Sequence, residues 1–354
     1  MRIEIKENIF NSNDHKKLDH LIRIVFERPL GSVNTKAKVF IDLNECLNSN
    51  LYEKLDSIDK ELLEVSTKDY FYEDSPTINY TVSNDNNQES YTLEEAIALL
   101  NAPFWILLEN SRNDQELIKS IIFNFDDNEE YLKDCLKNRW IEFDNAGGCG
   151  NVKNLLKQRI NSFENFASIY STNPRKYYRG IVILDSDKDF KTQTIKPEYV
   201  KLESFFQRTN IPYHILEKRA MENYMPDEVI IDILRNKSMS NNPDDKKCTS
   251  WGNLYQYLNS EQKDFLKYDG LDKFNTLSLG AQNLYRNLLP SNYNILVAGI
   301  HYRDNNATED EEKRFKNAFP KLFTLSPLVN KASLSSRCGT NELEKIFNII
   351  KQLL

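Results

Sequence analysis

Cysteine is sparse in this chain and histidine sparser. Cys46, Cys135, Cys149, Cys248 and Cys338 are scattered, odd in number and without a Cys-x-x-Cys pair. That pattern excludes a zinc ribbon and a disulfide framework, and reads as reduced, buried thiols. The four histidines, His15, His20, His214 and His301, have no metal-ligand spacing; His15 and His20 are five apart, which takes them off one helical face. No apolar run approaches the ~20 residues that a membrane span needs. The opening Met-Arg-Ile-Glu-Ile-Lys-Glu has no apolar signal region, so a cytoplasmic protein is expected. A Gly-Lys-Ser/Thr phosphate loop is missing too, as are internal repeats and low-complexity tracts.

What remains is ordinary folded protein. The 354 residues are 40% hydrophobic and 28% charged, and the 18 Tyr and 19 Phe argue against disorder. That length allows two or three domains with a substantial core. The net charge of −7 is uneven: residues 1–95 carry 11 basic and 19 acidic side chains, and the remainder is close to balanced. An acidic total does not favour nucleic acid, because phosphate binding draws on basic surface. The balanced remainder permits such a substrate without requiring it.

Taken in order, residues 1–10 alternate as a short strand, and a helix follows from about Asp14 to Glu27, stopped by Pro29-Leu-Gly31. Ala37 to Leu43 reads as a strand and 50–65 as helical. The polar stretch 66–90 is either a linker or a long hairpin. An α+β interaction or regulatory domain is expected over 1–95. Thr92-Leu-Glu-Glu95 is a helix start, with the hydroxyl as cap and the glutamates at the positive end. Four strand-then-helix units follow, with strands at Pro103–Glu109, Arg139–Asn145, Gly180–Asp187 and Ile211–Glu217. Their helices fall near 113–123, 151–160, 196–208 and 227–236. This alternation predicts an α/β domain over 96–240, a parallel sheet flanked by helices. Pro243 and the polar run Asn241–Lys247 mark a hinge into a mostly helical region, 241–354. That region has one strand-like interruption at Tyr293–His301 and a closing amphipathic helix, Asn341–Leu354.

The chemistry gathers at the strand ends. Gly180-Ile-Val-Ile-Leu184 has the unbroken apolar character of a strand covered on both faces, and it runs into Asp185-Ser-Asp187. If the strand persists to its tip, alternation points both carboxylates the same way, where they can share a divalent cation. Phe104–Leu108 delivers Glu109 in the same manner. Asp114 either caps the following helix or joins the acids. Asn145-Ala-Gly-Gly-Cys-Gly150 is a tight turn or a place where backbone N–H groups meet phosphate. After the fourth strand, Glu217-Lys-Arg-Ala-Met-Glu222 brings both signs of charge to one sheet edge. Glu222 is a further candidate ligand, and Lys218 or Arg219 a phosphate partner.

Strand–Glu, strand–glycine turn, strand–Asp-x-Asp and then Leu-Glu-Lys-Arg-x-x-Glu-Asn-Tyr224 together resemble the Toprim domain over about residues 101–270. The resemblance is closest to the branch in OLD-family (overcoming-lysogenisation-defect) nucleases of bacterial anti-phage defence. It places Glu109, Asp185 and Asp187 at the family's metal-binding acids, Glu222 at a later acidic position and Lys267 at a downstream Lys-x-x-Gly segment. Two positions depart: Asn110 stands where the family usually has Gly, and Asn113 where the next acid commonly falls, the acid here being Asp114. The resemblance implies a Mg²⁺- or Mn²⁺-dependent nuclease, consistent with hard oxygen ligands and no Cys or His. Glu109, Asp185 and Asp187 would hold the metal with Asp114 or Glu222, and Lys218, Arg219 or Lys267 would offset phosphate charge. DNA is favoured over RNA as substrate. Any ATPase or sensor would be a separate protein, and a homo-oligomer is left open. Two rivals stand beside it: a catalytically silent Toprim binding subunit, and a haloacid-dehalogenase-type phosphatase. The latter places Asp-x-Asp on its first strand, whereas two β-α units precede it here.

Overall fold

The computed structural model describes residues 1–11, 14–27, 35–41, 46–72, 78–85, 89–126, 130–238, 240, 242–304 and 307–354. The expected helix stop at Pro29–Gly31 lies outside the described residues. The protein is α/β, built on two four-stranded parallel sheets flanked by helices. The first comprises β1 (Arg2–Ile5), β2 (Lys38–Ile41), β3 (Tyr80–Val82) and β4 (Ser90–Tyr91), in the order β2-β1-β3-β4. The second comprises β5 (Phe104–Leu108), β6 (Ile141–Asn145), β7 (Gly180–Leu184) and β8 (Tyr213–Ile215), in the order β6-β5-β7-β8. The two sheets have the same order of connection, and all six strand pairings are parallel.

This corrects several expectations. The N-terminal region is a parallel α/β layer rather than α+β. The stretch 66–90 is no hairpin, because a helix runs over Ser57–Tyr72 and β3 pairs with β4 in parallel. Tyr293–His301 is not a strand: Pro290 starts a helix that continues to Ala298, its fixed φ suiting the first helical position. Pro243 does the same for Pro243–Tyr257, with the Asn242 side chain accepting from the Asp244 N–H at 2.9 Å. Instead of a hinge there is a corner between packed helices, tied by Lys237 and Asp245 at 2.7 Å.

Alternation along the second sheet divides its residues between two cores. Ile106, Leu108, Ile181 and Ile183 face one side, where the Ser111–Phe125 helix and the C-terminal helices pack. Leu107, Val182 and Leu184 face the other, against the Cys149–Asn161 and Pro197–Arg208 helices. A Cβ at Gly180 would collide with the Trp105 carbonyl oxygen, so the start of β7 closes on β5 only over glycine. The first sheet has its own core. The Leu93–Asn101 helix joins it; the Thr92 hydroxyl caps its start as expected, accepting from the Glu95 N–H, and the structure adds the return bond of a capping box, from the Thr92 N–H to the Glu95 carboxylate. No helix among the described residues is long and apolar enough to cross a membrane.

The chain reverses direction across the second sheet between β5 and β7. β5 connects leftward to β6 over one face, and β7 connects rightward to β8 over the other. Such a switch point opens a crevice at the carboxyl ends of the two strands. The core on the Ile183 side runs without a break from Phe104 to Leu354. Truncating fully buried Ile346, on the last helix, is therefore expected to cost about 2–5 kcal/mol. Urea unfolding of Ile346→Ala should show one earlier transition for the sheet and the C-terminal helices. A separate, shifted C-terminal phase would contradict the shared core.

Candidate active site

Glu109 follows the last residue of β5, and Asp185 the last of β7, so two hydrogen-bonded strands present carboxylates at the switch point. Around them lies a cavity of about 530 Å³ whose lining includes Glu109, Asp114, Asp185, Asp187 and Glu222. With Asp269, which pairs with Lys316 at 3.4 Å, six acids taken from different parts of the sequence thus share one space. Arg219 and Lys267 line it too, together with Lys316.

Asp185 and Asp187 do not reach the cavity by strand alternation. The strand ends at Leu184, and Asp187 has left-handed backbone, φ 53°. The loop is held in that shape by residue 219, whose carbonyl accepts from the N–H groups of Ser186 at 3.1 Å and Asp187 at 3.0 Å. Buried Ser186 adds a bond from its hydroxyl to the Lys218 carbonyl at 2.7 Å. The two aspartates consequently look different ways. Asp185 accepts from the Met221 N–H at 3.1 Å and lies among Asp114 and Glu222. Asp187 turns to Lys196, 3.0 Å away, and to the Tyr199 hydroxyl at 3.4 Å.

Glu109 occupies the Asp187 side. The fully buried Tyr199 donates to its carboxylate at 2.8 Å, and the Cys149 N–H donates to it as well. The glycine turn serves this arrangement. Gly147 and Gly148 have φ of 68° and 116°, which only glycine adopts at low cost, and the Gly148 N–H donates to the Glu109 carbonyl at 3.0 Å. Asp114 is not the cap, since the helix starts at Ser111 with Asn110 as N-cap; its carboxylate accepts from the Asn110 N–H at 2.9 Å, and it lines the cavity.

Burial and repulsion from neighbouring carboxylates shift Glu109, Asp114, Asp185 and Glu222 upward. Desolvation raises Glu109 to about 6, opposed by the Tyr199 hydrogen bond and reinforced by Asp187. Desolvation and then Glu222 raise Asp114 to about 8. Asp185 is held well above the usual carboxylate range, by burial first and then by Asp114, Glu222, Glu109 and Asp187. Burial raises Glu222 too. Among the described residues, no three His, Cys, Asp or Glu side chains are gathered tightly enough to grip a metal ion as they stand. The donor set nevertheless suits a hard divalent cation: all oxygen, several carboxylates, and negative charge that Lys196 and the cavity's basic side chains offset only in part.

Lys218 is a correction. Its ammonium is buried and pairs with Asp264 rather than entering the cavity, and burial lowers its pKa. The backbone twist after β8 alternates the side chains of 217–219: Glu217 bonds Thr340 at 3.1 Å, Lys218 goes inward, and only Arg219 reaches the cavity, where it also pairs with Asp189. Lys267 does line the cavity. Sequence reading missed Lys196, Tyr199 and Lys316. A signal for the first two was there: Pro197 starts the helix that follows Asp187, so its first turn must lie against the tip of β7.

No protein-family model, curated protein or solved structure matches this chain.

Raised carboxyl pKa values set the sign of a pH effect. Between the unfolded value of about 4 and the folded values near 6 and 8, the native state keeps protons that the unfolded state releases. Stability without divalent cations is therefore fullest at the acid end of this window and falls as pH rises through it. In EDTA the thermal midpoint should drop from about pH 5 to about pH 8, less steeply in Asp114→Asn. Mn²⁺ should restore more stability at the upper pH than at the lower. A wild-type midpoint that is level or rising over this range would refute the incompletely offset charge.

Proposed function

We propose that this chain is a metal-dependent nuclease of Toprim type, hydrolysing phosphodiesters at the carboxyl edge of its second sheet. The observation that carries the reading is the meeting of Glu109, Asp185, Asp187, Asp114 and Glu222 in one cavity at a parallel-sheet switch point. Glu109 after one strand, and Asp185 and Asp187 after its neighbour, are the acids that the sequence resemblance assigns to metal binding. The OLD branch extends the proposal to an effector of bacterial anti-phage defence in the cytoplasm, acting on DNA in preference to RNA. A separate ATPase or sensor would control it, and the acidic region 1–95 is the candidate docking surface for such a partner or for a second copy.

Glu109, Asp185 and Asp187, with Asp114 or Glu222, would hold Mg²⁺ or Mn²⁺, which would supply Lewis-acid polarisation of a phosphodiester. The chain's own groups do the rest. Glu109, raised to about 6 without a bound cation, is mostly ionised at about pH 7 yet more basic than an ordinary carboxylate, which suits an oxygen not engaged by the cation to take a proton from an attacking water. Tyr199 orients that carboxylate through its hydrogen bond. Arg219 and Lys267 put positive charge at the cavity, where it offsets charge developing on phosphate.

A second reading, a catalytically silent Toprim subunit that binds or senses, has one observation in its favour. Tyr199 and Lys196 already occupy Glu109 and Asp187, and among the described residues no three acids are gathered tightly enough to grip a metal ion as they stand.

Supercoiled plasmid and bulk tRNA, each with Mg²⁺, Mn²⁺ or EDTA, separate the two. The nuclease should cut only with a divalent cation. Asp185→Asn should lower the rate by on the order of 10²-fold or more with near-ultraviolet circular dichroism unchanged. Cutting that survives EDTA or the substitution would sink the assignment of this site, and absence of cutting by the wild type moves the reading to the silent subunit. Tyr199→Phe removes a bond that lowers the Glu109 pKa. The acidic limb of the pH–rate profile should accordingly move to higher pH, and an unmoved limb would remove Glu109 from the proton-transfer role.

A further inference from the structure

The Ser111–Phe125 helix brings into the cavity a side chain that neither the packing nor the chemistry above uses. Asn113 is 7% exposed and lines the cavity. Its backbone N–H is satisfied by the Asn110 carbonyl at 3.0 Å. Its carboxamide makes no hydrogen bond with any described residue, and neither carboxamide atom is among those sealed inside the protein without a partner. The amide therefore opens into the cavity. An unpaired carboxamide, nine-tenths buried, costs stability that alanine would not, and alanine is the better helix former. Such a group calls for a partner from outside the chain.

The surroundings say what that partner is. Asn113 stands in the first turn of a fifteen-residue helix, whose exposed end carries partial positive charge and favours anions. The neighbouring carboxylate, Asp114, is already occupied by the Asn110 N–H. The Lys267 ammonium lines the same cavity and pairs with no described carboxylate. A neutral amide donor and an unpaired cation, beside acids suited to a metal, make a place for an anionic oxygen.

We infer that Asn113 contacts substrate, its carboxamide N–H₂ donating to a non-bridging oxygen of a phosphate group in the cavity. That the phosphate is part of a nucleic acid phosphodiester rests on the function proposed above; the contact itself rests on the unpartnered amide.

The test compares the full-length wild type with Asn113→Ala and Asn113→Asp, all three checked for the same near-ultraviolet circular dichroism. Thermal stabilisation by Mg²⁺ alone, and by inorganic phosphate in Mg²⁺, is measured beside anisotropy binding of a labelled DNA duplex in Ca²⁺. Asn113→Ala should weaken phosphate and duplex binding by about tenfold. Asn113→Asp should weaken both at least as much, through repulsion, and Mg²⁺ alone should stabilise Asn113→Ala as it does the wild type. The inference is overturned if Asn113→Ala binds phosphate as the wild type does, if the wild type has no phosphate response, or if Asn113→Ala loses the Mg²⁺ response, which would make Asn113 a cation ligand. A phosphate response that depends on Asn113, without duplex binding or cleavage, supports the contact and sinks the nuclease alone. Metal-dependent cleavage with phosphate binding indifferent to Asn113→Ala sinks the contact alone.

Discussion

Repulsion among carboxylates is the constraint around which the second half of this protein is arranged. Asp185 lies within the field of Asp114, Glu222, Glu109 and Asp187, and like charges in a partly desolvated space disfavour the ionised state of each. Left to itself such a loop would splay outward into solvent. It is prevented from doing so chiefly by backbone hydrogen bonds, with the Lys196 ammonium paired to Asp187 as the one counter-charge on the loop's acids. The Met221 N–H holds Asp185, the residue 219 carbonyl holds the N–H groups of Ser186 and Asp187, and the Cys149 N–H holds Glu109. Hydrogen bonds of this kind fix position without neutralising charge, which leaves the electrostatic demand to be met by a cation.

The segment that clamps the aspartates is itself clamped from behind. Fully buried Glu342 accepts from His214 at 2.8 Å, from the Glu217 N–H at 2.7 Å and from the Tyr224 hydroxyl. Asp264 pairs with Lys218 and with Arg337 at 2.5 Å, and its carbonyl accepts from the Arg219 N–H. The Asn223 carboxamide donates to the carbonyls of Lys263 and Leu266, beside Lys267. The C-terminal helices thus form the supporting wall of the site. Removing one partner from a buried network leaves the other uncompensated, so Glu342 and Asp264 act on the cavity without lining it.

Two sheets of identical strand order stand in one chain, yet only one carries this chemistry. After β1 comes Lys6, and after β3 comes Ser83, whose hydroxyl bonds Asn8 and Asp85. Directly after the two central strands, then, the first sheet has Lys6 and Ser83 where the second has Glu109 and Asp185. Topology provides the crevice, and the residue after each strand decides what the crevice can do.

Much of this was legible in the amino-acid order, because local rules govern it. Apolar runs of about five residues followed by amphipathic stretches gave the β-α units from 104 onward, and Thr92 stood in plain view as a helix cap. The acids after β5 and β7 could be named because strands end where apolar runs end. Other features depended on distance. Parallel pairing in the first sheet joins strands up to some seventy residues apart, with no local signature to separate it from a hairpin. The left-handed turn at Asp187, the inward course of Lys218 and the approach of Tyr199 to Glu109 each follow from contacts with segments remote in sequence. The amino-acid order determined which side chains stand at the strand tips. Tertiary packing alone decided which of them face one another, because the direction of a side chain past the end of a strand is set by what packs against it.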